Sequence, residues 1–213
     1  ADRLAGDVTL LFENAQILDP ERAAPERGSL LVRDGRILSR MEKGSVRPED
    51  ARRIPLAGFS LAPGFIDLHF HGRLVFARGD AFSEELERAS ADRPAEGTTA
   101  FLPTSVAWPG ERLSEFVEAL AGEVSEPRGP GALPLGIHLE GPWINAEAAG
   151  AQPAKAIRPC RREEVEDLLA RAGGAVRLGT MAPEVDGSRE LLAILGAAGI
   201  RAALGHSLAR AEQ

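Results

Sequence analysis

Two kinds of hydrophobic pattern divide the chain. Up to residue 58 the apolar positions come in short runs broken by turn residues. "VTLLFENAQILD" reads as a strand, a turn at Glu13-Asn14 and a second short strand. "GSLLVRDGRILSRM" reads as a hairpin, because Asp34-Gly35 lies between two apolar-rich runs and tolerates the positive φ angles of a tight turn. "EKGSVRPEDARR" is polar and reads as a loop. Long helical patterns are missing here, so residues 1–58 are expected to form a small β-sandwich.

After Ala57-Gly58 the pattern changes. The apolar runs "FIDLHFH", "TTAFLPTS", "LPLGIHLE", "AVRLGTMA" and "IRAALGH" alternate with amphipathic stretches. Leu113, Phe116, Val117 and Leu120 fall on one helical face, as do Val165, Leu168, Leu169 and Ala172. Ser188 is the expected N-cap of a helix carrying Leu191, Leu192 and Leu195. A further helix over 83–96 is interrupted by Pro94. Such repetition predicts an α/β domain over 59–213, with parallel strands joined by right-handed crossovers. It can be an open doubly wound sheet or a closed barrel. Five strands and four helices are counted before "LARAEQ", which reads as the start of a fifth helix. An open sheet could finish there, whereas a barrel could not.

Composition narrows the function classes. Lys+Arg 25 against Asp+Glu 32 leaves a net charge of −7, which argues against a nucleic-acid or anionic-membrane surface. The apolar runs fall short of the ~20 residues that cross a bilayer. The opening "ADRLAGDVTL" lacks both an initiator Met and the basic-then-apolar order of a signal peptide, so a processed or cut terminus is expected. The single Cys160 cannot form an internal disulfide and fits a reducing cytoplasm as an unreactive thiol.

The chemistry gathers at strand ends. Side chains alternate along a strand, so Asp67, His69 and His71 share one face while Ile66, Leu68 and Phe70 take the other, expected to pack on helices. His138 and Glu140 likewise share a face, opposite Ile137 and Leu139. His206 sits at the tip of the fifth strand. All four histidines therefore lie at or near C-terminal strand ends. Imidazole nitrogens and a carboxylate suit zinc and related divalent ions. Each histidine could instead be a hydrogen-bonded wall residue, His138 above all.

"LAPGFIDLHFHG", "GTTAFLPTS", "GIHLEGPWINAEAAGA", "TMAPE" and "LGHS" occur in an order that resembles the N-acetylglucosamine-6-phosphate deacetylase family of the amidohydrolase superfamily. The resemblance covers nearly the whole chain. It implies a (β/α)8 barrel, here about its first five strands, with a small β-sandwich. It implies metal-assisted amide hydrolysis of an amino-sugar phosphate, with one or two divalent ions, zinc above all, in a cytoplasmic homodimer without nucleic-acid or membrane partners. Glu140 and His206 match the family's metal ligands. His69 and His71 match the pair that helps hold a second metal. Where many superfamily members bridge two metals with a carboxylated lysine, this chain has only Lys43 and Lys155, neither at a strand end, which leaves Glu140 to bridge. Ala151, Gln152 and His138 match substrate-facing positions, Gln152 standing where the family usually has a histidine. The family's catalytic aspartate and phosphate contacts lie past Gln213, so the chain is expected to be the N-terminal part of a longer enzyme, inactive alone. The loop 143–158 is expected to be a lid or specificity loop, with Trp143 packing its base. Another amidohydrolase, acting on a cyclic amide or N-acyl amino acid, and a non-catalytic piece are the alternatives.

Overall fold

A computed structural model describes residues 9–41, 48–126 and 130–210. Backbone contacts divide the chain into two units, Ala1–Gly64 and Phe65–Gln213. The division falls after Gly64 rather than after residue 58, because Ser60–Leu61 pairs with the first strand of the first unit.

The first unit is one sheet of five strands: β1 Thr9–Ile17, β2 Glu26–Arg33, β3 Arg36–Met41, β4 Arg52–Pro55 and β5 Ser60–Leu61. Their order is β3-β2-β1-β4, with β5 also on β1. β2 and β3 form the expected hairpin, with Asp34 at φ 52° and Gly35 at φ 73°. The expected turn at Glu13-Asn14 is a bulge instead. β1 runs straight through it, and its register against β2 shifts between Phe12 and Ala15 with Asn14 at φ 60°. Part of the expected loop, Arg52–Pro55, is strand β4, parallel to β1. The second sheet of the expected sandwich is not among the described residues. Leu11, Ala15 and Ile17 are buried on one side of β1. Phe12, Leu30, Val32 and Ile37 line an open apolar groove of about 460 Å³.

The second unit alternates strand and helix: β6 Phe65–Phe70, α1 Ala81–Asp92, β7 Thr98–Pro103, α2 Gly110–Ser125, β8 Leu133–Pro134, β9 Ile137–Glu140, α3 Arg162–Arg171, β10 Val176–Met181, α4 Ser188–Ala197 and β11 Arg201–Leu204. Strands β6-β7-β8 and β9-β10-β11 form two parallel sheets. The run "LPLGIHLE" explains the split. Its first half pairs with β7 and its second half with β10, while a bridge between Thr104 and His138 spans the junction. The changeover is at Gly136, at φ 152°, where a Cβ would lie 2.8 Å from the Ala175 carbonyl and 2.2 Å from Arg177 Cγ. The succession is therefore five parallel strands in chain order.

The helices pack in the same order, α1 on α2, α2 on α3 and α3 on α4. They share one apolar core with the strands. The α2 stripe Leu113, Phe116, Val117 and Leu120 is wholly buried, each side chain contributing about 1.5–3 kcal/mol. Ile137 and Leu139 meet this core from β9, which leaves His138 and Glu140 on the face without helices. Leu192 departs from expectation and is exposed. Gly187, at φ 80°, caps α4, and Ser188 is the first helical residue, its Oγ donating to the Pro183 carbonyl. The helix expected over 83–96 ends at Asp92, and Pro94 lies in a 3₁₀ turn, Arg93–Glu96. The expected fifth helix is not seen at 208–210, which are irregular. The apolar face of β6 packs only in part: Phe70 stacks edge-on against Phe101, but Ile66 and Leu68 are 59% and 53% exposed.

Gly136→Ala should lower stability by about 1–3 kcal/mol in urea unfolding, since it adds both a strained φ and a backbone clash. A neutral result would show that the β8–β9 changeover does not need glycine.

Candidate metal centre

Three of the four histidines converge on one carboxylate. Glu140 ends β9 with its side chain 6% exposed. Its Oε2 lies 3.0 Å from His71 Nε2 and 3.4 Å from His69 Nε2. Its Oε1 lies 3.0 Å from His206 Nε2. The His69 and His71 Nε2 atoms are 2.9 Å apart. His69, His71 and Glu140 thus form a group whose donor atoms could hold one metal ion. His206 stands on the other oxygen of the same carboxylate.

The outer ring nitrogens decide what the inner ones offer. His71 Nδ1 lies 3.1 Å from the Thr104 carbonyl, and His206 Nδ1 lies 2.9 Å from the Ala148 carbonyl. A carbonyl only accepts, so each Nδ1 carries the proton. When neutral, these rings aim bare Nε2 lone pairs at carboxylate oxygens. Two acceptors facing at 3.0 Å repel unless a proton or a cation sits between them. A proton satisfies each metal-free contact, and a divalent ion fits the same donor set. The same geometry shifts the titrations. For Glu140 burial acts upward, but the His71 hydrogen bond, the His69 and His71 charges and the His206 hydrogen bond outweigh it and bring it to about 2. For His71 burial acts downward, yet bonding to Glu140 and Thr104 leaves it raised.

The remaining expected residues are placed as follows. Asp67 shares the histidine face but is outside the cluster. Its Oδ1 accepts the His69 amide at 3.0 Å, and its Oδ2 accepts Arg93 Nη2 at 2.6 Å. That arginine stacks on Phe70, 4.3 Å from the ring centre. His138 is 2% exposed, with Nδ1 2.9 Å from the Leu68 carbonyl and Nε2 2.8 Å from Thr180 Oγ1. Burial first, opposed by the Leu68 hydrogen bond and assisted by His69, lowers its pKa to about 4. Gln152 is buried with both amide ends engaged: Oε1 accepts Ala107 N–H at 2.7 Å, and Nε2 donates to Glu140 Oε2 at 2.6 Å. Ala151 is exposed beside it. Lys155 is exposed in a 3₁₀ turn, and Lys43 lies outside the described residues. Cys160 is buried, its thiol pushed up to about 11 by burial and then by Glu190 and Glu164.

The loop 143–158 is packed at its base and exposed along much of its length. Trp143 is 1% exposed at that base, the Asn145 amide donates to the His206 carbonyl, and Arg158 Nη1 donates to the Trp108 and Ala156 carbonyls. The sequence reading missed the hydroxyl supports. Thr104 Oγ1 accepts the Phe70 amide and donates to the Leu102 carbonyl, and Ser105 Oγ accepts the Glu140 amide. Their signal was a pair of hydroxyl residues closing the apolar run "FLPTS". Glu184 was missed too. It accepts hydrogen bonds from Asn145, Ser207 and the Leu208 amide, and these overcome the upward effect of burial to bring it to about 2.

Parallel strands thus bring histidines and a carboxylate together at their C-terminal ends. No family model matches the chain. Over 206 residues it is 34% identical to the N-acetylglucosamine-6-phosphate deacetylase of Bacillus subtilis (strain 168), aligning 96% of this chain with 50% of that protein. It is 37% identical over 216 residues to the Homo sapiens N-acetylglucosamine-6-phosphate deacetylase, covering 96% of this chain and 51% of that protein. Among solved structures, an Asp-to-Ala variant of the Mycobacterium smegmatis N-acetyl-D-glucosamine-6-phosphate deacetylase, in complex with N-acetyl-D-glucosamine-6-phosphate, superposes with a TM-score of 0.78 at 30% identity. It covers 95% of this chain and 51% of that one. Over nearly its whole length, the chain is thus a relative of the N-acetylglucosamine-6-phosphate deacetylases, as its motifs suggested. It spans about half the length of the relatives it matches.

His138 gives a pH prediction for the metal-free chain. Its folded pKa of about 4 lies below the unfolded value of 6.5, so between these the unfolded state binds the extra proton. Stability should fall as pH drops from 6.5 towards 4, by on the order of 3 kcal/mol. Urea titrations with chelator present should show this slope, flattened in His138→Gln. An unchanged slope in that variant would assign the effect to other groups.

Proposed function

We propose that this chain provides the metal-binding part of a hydrolase that removes acetate from N-acetylglucosamine 6-phosphate. The observation that carries this reading is the Glu140 carboxylate, flanked by His69 and His71 on one oxygen and by His206 on the other. The relatives' names and the N-acetyl-D-glucosamine-6-phosphate complex support the substrate class.

Glu140 would supply an anionic ligand, with one oxygen beside His69 and His71 and the other beside His206, where this chain has no lysine at a strand end. His69, His71 and His206 supply neutral nitrogens. Zinc or a related divalent ion, when bound, acidifies water and polarises the acetamide carbonyl. The chain's own residues prepare for this. The Thr104 and Ala148 carbonyls fix the histidine tautomers. Gln152 holds Glu140 Oε2 in place with a neutral amide. His138 stays uncharged in the wall, adding no positive charge beside the ion. Ala151, Gln152 and His138 border the side on which a substrate would lie.

For the whole protein the reading extends to a closed (β/α)8 barrel with a β-sandwich. Parallel strands in chain order, helices on one face only and the open groove on the first unit support it. A homodimer working in the cytoplasm is part of the same proposal. Among the described residues no helix is long and apolar enough to cross a membrane.

The test compares the protein at its relatives' full length with its Glu140→Gln and His206→Ala variants, by metal analysis and by release of glucosamine 6-phosphate. The native protein should carry one or two divalent ions. Each variant should lose metal and at least about 100-fold in rate. Normal metal and rate in both would remove the site, and turnover of N-acyl amino acids in place of the sugar would redirect the substrate.

A further inference from the structure

His206 has a backbone problem. It sits at φ 50°, a left-handed conformation that residues with a Cβ seldom adopt outside special turns. No glycine relieves it, since the imidazole is the functional group. Something else must hold the turn. We propose that Glu184 is the positioning residue for His206: its carboxylate holds the two residues that follow and, through Asn145, the His206 carbonyl, so that the imidazole faces Glu140.

The contacts form a closed bracket. Glu184 Oε1 accepts Asn145 Nδ2 at 2.8 Å and the Leu208 amide at 2.7 Å. Glu184 Oε2 accepts Ser207 Oγ at 2.7 Å. The Asn145 amide in turn donates to the His206 carbonyl at 3.0 Å. Residue 206 is thereby fixed at its own carbonyl and at the two residues after it, while Ala148 holds its ring. Every group facing Glu184 is a donor, which calls for an acceptor on both oxygens or a hydroxyl able to turn round. The base of the bracket is firm as well. The Ala182 amide donates to the Trp143 carbonyl, and Ser188 Oγ to that of Pro183. Glu184 touches neither Glu140 nor the other histidines in this network, so it acts through His206 alone.

This inference rests on the metal reading, and its test separates the two. Glu184→Leu removes the acceptors. Glu184→Gln keeps Oε1 for Asn145 and Leu208 and lets its amide donate to Ser207 Oγ, so it should rescue. Zinc affinity of the metal-stripped protein is measured by competition with a chromophoric chelator, together with the visible spectrum of the cobalt(II) form and the thermal midpoint. Glu184→Leu should bind zinc about 10–100-fold more weakly, with an altered cobalt spectrum. Glu184→Gln should stay within about threefold of the parent. If Glu184→Leu does not fold, Asn145→Ala and Ser207→Ala each remove one arm of the bracket and should each weaken zinc binding. Unchanged affinity in Glu184→Leu, or in both single-arm variants, while Glu140→Ala abolishes binding, overturns the inference and leaves the metal site intact. Unchanged affinity in Glu140→Ala overturns the metal reading itself.

Discussion

One carboxylate organises the second unit. Glu140 is almost wholly buried yet stays ionised, which costs desolvation that only nearby positive or donating groups can offset. The fold gathers those groups from three places: the end of β6, the turn after β11 and the loop that follows β9 itself. Each arrives with its own support. His71 leans on Thr104, His206 on Ala148, and Gln152 on Ala107. Removing any support leaves a lone pair or a proton facing the wrong way, so the arrangement works as a set.

The architecture makes this convergence possible by separating two faces. Ile137 and Leu139 hold β9 on the helices, and strand alternation then points His138 and Glu140 to the other side. The break at Gly136 lets a single run of sequence leave β7 for β10 without changing direction. The polar side is thus fixed by the same contacts that fill the core. This is why the polar side can be crowded with ionisable groups without weakening the packing beneath.

Much of this was legible in the residues. Period-two alternation put the histidines and Glu140 on one side, and helical spacing identified the α2 stripe, because both patterns follow local geometry. The Asp34-Gly35 hairpin was legible for the same reason. What was missed depended on partners distant in sequence. Asn14 looked like a turn but is a bulge held against β2, where the Ser29 hydroxyl meets its amide. Arg52–Pro55 has no alternating apolar signal and becomes a strand because β1 offers a free edge. Leu192 follows the helical period yet faces solvent, since α4 packs along a narrower stripe. Asp67 was read with the histidines, but Arg93 claims its carboxylate from 26 positions away. Thr104, Ser105 and Glu184 act by capping others' hydrogen bonds; the paired hydroxyls closing "FLPTS" hint at the first two, but a lone acid gives no hint of its partners.

The order of the strands has a mechanical meaning. His69 lies in β6 and His71 just after it, at one margin of the parallel array, and His206 follows β11 at the other. A cation lodged at Glu140 would therefore clasp the two margins together across the intervening β7, β8, β9 and β10. Its binding energy would be felt by the entire unit, and chelation would loosen the array as a whole instead of one corner of it.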